Sequence, residues 1–295
     1  MKIQTFSVVV GGPACNAKCP YCVSRLTGCT NGIDVGQKAM DINKRNFNIA
    51  CNFAKMSGVS TVLLTGKGEP TLYPDHITRY LEQLEKWQFP FIELQTNGIL
   101  LNKLQDELKE WYDAGLTTVS LSCASKYEAN NEKIFGKDIR LEKNIELLHR
   151  IGFSVRISCV MTDDYIMSCA DILSFADWCK YNGVEQFTVR PATNISLDDI
   201  DGDDIKTGVH QWIEKNSRKV WCNIIDICKW FDDPANATTL LTLAHGAKVY
   251  DYNGQNISLN SCLTRSDNPD DIRQLIFSSD GHLRYDWVKE GAIIL

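Results

Sequence analysis

Six strand-like runs alternate with amphipathic helical stretches through the first two-thirds of the chain, and no other feature narrows the choice of fold so far. The strand signals lie at 5–10, 61–65, 91–95, 117–121, 154–160 and 186–190. Between them, apolar residues recur at helical period over 42–56, 76–87, 102–114, 141–151 and 170–181. Alternation of this kind predicts a parallel sheet with helices packed outside it. Eight units would close a full barrel; six predict an α/β fold of the partial (β/α)6 TIM-like type, spanning residues 1–195. In such a fold the strand-to-helix loops converge at the C-terminal ends of the strands, so the active site belongs there.

The last third reads differently. An acidic run at 198–204 leads into a helical pattern at 205–215, and its carboxylates suit a solvated loop and helix start. A second short helical pattern covers 237–245. Two hairpin signals follow, one around Asn253-Gly254, a type I′ turn dipeptide, and one around Asp280-Gly281. Residues 196–295 are therefore expected to form a β-hairpin-rich C-terminal extension that caps the barrel.

The first strand runs into Cys15-Asn16-Ala17-Lys18-Cys19-Pro20-Tyr21-Cys22, three thiols at C-x3-C-x2-C spacing. A structural zinc site closes with four Cys or His ligands, and an electron-transfer [4Fe-4S] cluster takes four thiolates. No well-spaced fourth ligand follows, since Cys29 lies seven residues beyond Cys22 across a Thr27-Gly28 turn signal. A cubane on three thiolates keeps one iron open for an exogenous chelate, which makes such a site catalytic. The five histidines are scattered without an i, i+4 pair, so a histidine metal site is disfavoured.

After the second strand comes Thr65-Gly66-Lys67-Gly68-Glu69-Pro70. Its glycines let the backbone approach a ligand, and Glu69 offers a carboxylate to an ammonium group. It does not fit a phosphate loop, because no Ser or Thr follows the lysine and no glycine precedes at the required spacing. Thr96-Asn97-Gly98 closes the third strand and is either a turn or a ligand contact. On the fourth, Thr118, Ser120 and Ser122 alternate with Val119 and Leu121, so one face is polar. Arg156 and Ser158 continue that pattern, and Arg190 ends the sixth strand; an arginine facing inward needs an anion or a carboxylate partner.

These motifs together resemble the radical S-adenosylmethionine (SAM) superfamily, over roughly residues 3 to 190. The resemblance implies a [4Fe-4S] cluster on Cys15, Cys19 and Cys22, and SAM chelated to the open iron. It implies reductive cleavage of SAM and hydrogen abstraction from a substrate by the resulting radical. It makes Gly66, Gly68, Glu69, Asn97, Ser122, Arg156, Arg190 and Tyr21 candidate SAM contacts, although loop packing serves as well for Tyr21 and an ion pair for either arginine. Lys67 between the two glycines departs from the usual Gly-Gly-Glu-Pro. The C-terminal stretch is similar in outline to the molybdenum-cofactor GTP cyclase branch. Cysteines that would hold a second cluster there are missing except Cys262, with Cys222 and Cys228 as further candidates, so GTP is not carried over as substrate. Arg265, Arg273 and Arg284 remain a basic group that either meets a substrate anion or balances surface charge.

The expected substrate is a small polar molecule such as a nucleotide or sugar derivative, with a peptide or protein as the alternative. A non-catalytic metal-binding or redox module is the alternative of another class. The strand pattern begins almost at Met1, which leaves no room for a preceding peptide-recognition domain or a signal peptide. Together with the absence of an apolar run near the roughly 18 residues a membrane span needs, this predicts a cytoplasmic protein. Of the twelve cysteines, Cys51, Cys123, Cys159, Cys169 and Cys179 sit singly in apolar segments and read as core thiols in a reducing compartment. A net charge of −6 disfavours a phosphate-tracking surface for long nucleic acid. A flavodoxin or ferredoxin is the expected reductant.

Overall fold

A computed structural model of the chain describes residues 2–22, 24, 41–162, 165–192, 224–243, 246–259, 271–287 and 291–295. Strands β1 (Lys2–Val9), β2 (Thr61–Thr65), β3 (Phe91–Thr96), β4 (Thr118–Cys123), β5 (Ser154–Met161) and β6 (Gln186–Pro191) lie side by side in sequence order, all parallel. Helices α1 (Lys44–Met56), α2 (Pro74–Glu85), α3 (Gln105–Asp113), α4 (Glu128–Phe135), α5 (Leu141–Ile151) and α6 (Cys169–Tyr181) occupy the connections. The expected six-unit α/β architecture is in place, and among the described residues the sheet stays open.

The two faces of the sheet divide the chemistry. Phe6, Val62, Leu94, Leu121, Ile157 and Phe187 point to the helices and are buried to within 1% of completely. Phe47 of α1 packs on Phe6 and on Tyr80 of α2, with ring centroids 6.1 and 5.2 Å away. Cys51, Cys123, Cys159 and Cys179 are fully buried, as core thiols should be, and Cys169 is half-buried. The opposite face is polar in register: Gln95, Ser120, Arg156 and Gln186 form one row, and Ser122, Ser158 and Thr188 the row above it. A period of two in each strand, kept in step across parallel neighbours, is what gathers these side chains on one concave side.

Beyond residue 195, helix α7 (Ile224–Asp232) precedes strands β7 (Thr238–Thr242), β8 (Lys248–Tyr252), β9 (Gln255–Leu259), β10 (Asp271–Phe277) and β11 (Leu283–Arg284). Both hairpins form, and Asn253 and Gly254 take the positive φ angles (50° and 79°) of a type I′ turn. The described strands extend the sheet at both edges. β9 joins β6 and β10 joins β1, each in parallel, giving the order β11-β10-β1-β2-β3-β4-β5-β6-β9-β8-β7. An open edge of unpaired main-chain groups is satisfied in this way. The helix expected at 237–245 is strand β7, drawn into the sheet by antiparallel pairing with β8. The acidic run and the helix expected at 205–215 lie outside the described residues. No helix among the described residues is long and apolar enough to cross a membrane.

Candidate active site

The cysteine loop leaves the C-terminal end of β1 and is held on three sides by main-chain bonds. Val10 N donates to Thr65 O at the end of β2 (2.6 Å), Lys18 N to Phe135 O at the end of α4 (2.8 Å), and Glu69 N donates to Ala14 O (2.9 Å). Gly11 N donates to Nδ1 of the buried His76 on α2 (3.0 Å). Burial, with Arg79 nearby, lowers the His76 pKa to about 4, so the ring is neutral near pH 7 and Nδ1 stays an acceptor. Ala17 and Tyr21 are buried and anchor the loop, while Cys15 is exposed and Cys19 and Cys22 are half-buried.

The donor set fits an iron-sulfur cluster. Among the described residues no three Cys, His, Asp or Glu side chains converge as one metal ion demands. Around a cubane each thiolate binds a different iron, so three thiols spread along one short loop suit the cluster better than a single ion. Cys15 Sγ accepts the Ala17 N–H (3.4 Å) and lies 3.9 Å from Asn97 Nδ2, donors that suit an anionic sulfur. Beside it, the buried Asn16 Nδ2 has no acceptor among the described residues.

The Gly66 to Pro70 stretch packs directly on the cysteine loop. A Cβ at Gly68 would fall 2.0 Å from Ala14 O and 2.8 Å from Gly12 O, so this glycine serves the contact between the two loops. Glu69 departs from the sequence reading. Its carboxylate is 3% exposed and turned into the protein. Oε1 accepts from Thr71 N (3.0 Å), Thr71 Oγ1 (2.6 Å) and Thr96 Oγ1 (2.6 Å), and Oε2 accepts from Asn97 N (2.9 Å). The cause is position: Glu69 caps the 3₁₀ turn Pro70–Leu72 and stands beside the end of β3, where uncommitted donors meet it. Burial raises its pKa, and the four hydrogen bonds oppose the shift.

Asn97 is likewise turned to the cysteine loop, where its Nδ2 donates to Asn16 Oδ1 (2.7 Å). Ser122 sits half-buried near the top of β4, in register with Ser158. The two inward arginines have different settings. Arg156 donates from Nη2 to Glu93 Oε1 (2.5 Å) and from Nε to Ser120 Oγ (3.3 Å), an ion pair low in the concavity. Arg190 pairs with Val160, four residues further along β5, and so lies roughly 13 Å higher at about 3.3 Å per residue. It donates from Nη2 to Ser158 Oγ (2.9 Å). Tyr21 is buried at the base of the loop. Desolvation pushes its phenol well up, the Cys19, Cys159 and Cys123 thiols add to this, and Arg190 opposes it.

The two described C-terminal arginines, Arg273 and Arg284, leave the sheet on different faces. Arg273 shares the face of Leu275 and Phe277, and Phe277 packs on Phe47, so its side chain leaves β10 on the helix side of the sheet. Arg284 forms a two-pronged pair with Asp280 (2.9 and 2.6 Å) and is 13% exposed. Burial works to raise the Asp280 carboxyl, and the Arg284 guanidinium holds it below its ordinary value. Arg265 lies outside the described residues. So do Cys222 and Cys262, while Cys228 is half-buried on α7 with its thiol pushed up by burial.

Sequence reasoning passed over Glu93, Asn16 and His76. Glu93 had a readable signal, an acidic residue alternating with Ile92 and Leu94 in a strand. The partners of Asn16 and His76 come from distant segments and left none.

An open parallel barrel with three loop thiols at its C-terminal edge defines a class of cluster-dependent enzyme. This chain belongs to the Radical SAM superfamily, whose family model matches residues 9–176. Enzymes of that superfamily use a [4Fe-4S] cluster and SAM. A probable GTP 3′,8-cyclase of Methanococcus aeolicus is 30% identical over 177 residues, 58% of this chain and 54% of that protein. The chain thus spans about half the length of this curated relative. Streptococcus suis SuiB bound to its precursor peptide SuiA superposes with a TM-score of 0.60 at 16% identity, covering 97% of this chain and 60% of SuiB. SuiB bound to SAM gives 0.59 at 18% identity, covering 98% and 62%. At these identities the likeness is one of fold.

Proposed function

We propose that this protein cleaves SAM reductively at a [4Fe-4S] cluster held by Cys15, Cys19 and Cys22, and that the radical produced abstracts hydrogen from a small polar substrate. The observation that carries the reading is the packing of the three-thiol loop against the Gly66 to Pro70 stretch at the C-terminal edge of the sheet. When bound, the cluster supplies the electron that splits SAM into methionine and a 5′-deoxyadenosyl radical. The chain's own residues then have separable tasks. Gly66 and Gly68 bring main-chain carbonyls near the methionine ammonium. Glu69 and Asn97 brace that edge from behind, and Ser122 and Arg190 face the SAM carboxylate and ribose from the opposite wall. Arg156 holds the floor through Glu93. Tyr21 supports the loop from below.

The polar inner rows support a hydroxyl-rich substrate, such as a nucleotide or sugar derivative. The relative named as a cyclase favours the same class, although the second-cluster cysteines of that branch are mostly absent. A flavodoxin or ferredoxin serves as reductant in the cytoplasm, and residues 1–195 form the catalytic unit. Membership of an enzyme superfamily weighs against a non-catalytic metal-binding module.

One observation favours the peptide alternative. All five residues of β7 are exposed, Leu240 and Leu241 at 51% and 48%, on the outer strand of the sheet. Such an edge suits addition of an extended peptide strand.

Anaerobic reconstitution with iron and sulfide, followed by SAM and dithionite, tests the proposal. The expected product is 5′-deoxyadenosine, lost together with the cluster spectrum in Cys15→Ala, Cys19→Ala and Cys22→Ala. Full activity in any of the three variants removes that cysteine from the ligand set.

A further inference from the structure

Asn97 commits its main-chain N–H and both polar atoms of its side chain. Its main-chain N–H donates to Glu69 Oε2 (2.9 Å), and its Oδ1 accepts from Ile99 N (3.0 Å). The amide plane is thereby fixed, which leaves Nδ2 as the end turned towards the cysteine loop. Nδ2 donates to Asn16 Oδ1 (2.7 Å) and lies 3.9 Å from Cys15 Sγ. The residue is 7% exposed, so water competes weakly for these bonds. A continuous path runs from the buried Glu69 carboxylate, through the Asn97 main chain and amide, to Asn16 and Cys15. Its ends are far apart in sequence, and the packing of the cysteine loop against both the Gly66 to Pro70 stretch and the end of β3 brings them together.

We propose that Asn97 is a positioning residue for Cys15, orienting its sulfur and withdrawing electron density from it. The proposal rests on the reading of Cys15 as a cluster ligand. An N–H aimed at a ligating thiolate stabilises the more negative, reduced form of a cluster and so raises its reduction potential. Asn16 has a supporting part: its Oδ1 holds the Asn97 amide within reach of the sulfur. Glu69 acts one step further back, by fixing the main chain at the end of β3. A carboxylate that the sequence suggests for the SAM ammonium thus works on the cluster side.

The test is an EPR-monitored redox titration of the reconstituted full chain, without SAM or substrate, alongside iron and sulfide analysis. Asn97→Asp keeps the size and the acceptor for Ile99 N, removes the amide donor and adds a negative charge beside the sulfur. Its midpoint potential is expected to fall, so that at the wild-type midpoint the ratio of reduced to oxidised cluster drops by about tenfold, the effect of losing one hydrogen bond to a charged group. A fully loaded cluster with the wild-type midpoint overturns the proposal, because a merely structural asparagine changes loading and leaves the potential alone. If Asn97→Asp takes up no iron, Asn16→Ala decides, since it releases the amide but adds no charge. A lowered midpoint there supports the proposal and an unchanged one overturns it. Failure of the wild-type chain to form any [4Fe-4S] cluster is a separate result, which removes the ligand reading itself.

Discussion

The two sides of the concave site are built in opposite ways. On the side of β1 to β3, loops are bonded to one another and to the ends of neighbouring elements: Glu69 to Thr96 and Asn97, Asn97 to Asn16, and Gly11 to His76. On the side of β4 to β6, the facing side chains are placed by strand register, with Ser122, Ser158 and Thr188 in one row. A loop-built frame couples every position to its neighbours, so one substitution there displaces several groups. A strand-built wall keeps its backbone while individual side chains change. The first arrangement suits invariant cofactor chemistry, and the second suits a surface that selects a substrate.

The largest break in this contrast is expected low on the strand-built wall, where it is least tolerant. Arg156→Met leaves Glu93 as a buried carboxylate without its guanidinium, a loss of about 3–5 kcal/mol. Arg190→Met, on the same face and nearer the strand ends, gives up a hydrogen bond to the Ser158 hydroxyl and, among the described residues, strands no buried carboxylate there, so it should cost less stability than Arg156→Met and lower the affinity for SAM or substrate. Urea denaturation of both variants with a SAM-binding isotherm separates the two effects. Equal destabilisation would erase the distinction between floor and rim.

Next comes the loop frame itself. Gly68→Ala places a methyl group against main-chain oxygens that cannot swing aside, at a loss of about 3 kcal/mol, with cluster loading falling in step. Melting temperature and iron content are the readouts, and a variant of normal stability that loads four irons would show that the loops are not in contact.

The smallest effect sharpens the picture through pH. His76 is held near a pKa of about 4 in the folded chain, against an ordinary value near 6.5. The unfolded chain therefore binds the extra proton first. The contribution of neutral His76 is intact above about pH 6.5 and is lost as pH falls towards 4, about 1 kcal/mol of it by pH 5.5. His76→Gln should remove that part of the acid limb in urea titrations between pH 7 and 5. An identical limb in the variant would mean that another group carries it.

Most of the architecture was legible in the sequence, because its signals are local. The six strands and the five helices read from periodicity lie where the alternation places them, and Asn253-Gly254 turns as its backbone preferences demand. Two of the described helices were not legible. α4, with Asn130 and Asn131 inside it, has a weak helical signature, and α7 is a single short segment near the start of the sheet's far extension. The misreading of 237–245 has the same origin: Leu240, Leu241 and Leu243 satisfy a helical period, while β8 supplies the hydrogen bonds that make the segment a strand.

The site divides along that line too. The identity of the three thiols, the glycines before Glu69 and the polar alternation of β4 and β5 are properties of consecutive residues, so the sequence alone determined the class of chemistry. The direction of each polar side chain was decided by the tertiary structure. Glu69 turns inward because Thr71, Thr96 and Asn97 present donors there, and Arg284 is held by Asp280 across a tight turn. Arg273 faces the helices because β10 joins β1 in a register that puts Phe277 against Phe47. A charged or polar group goes where its desolvation is best compensated, and those partners come from segments that only folding brings together.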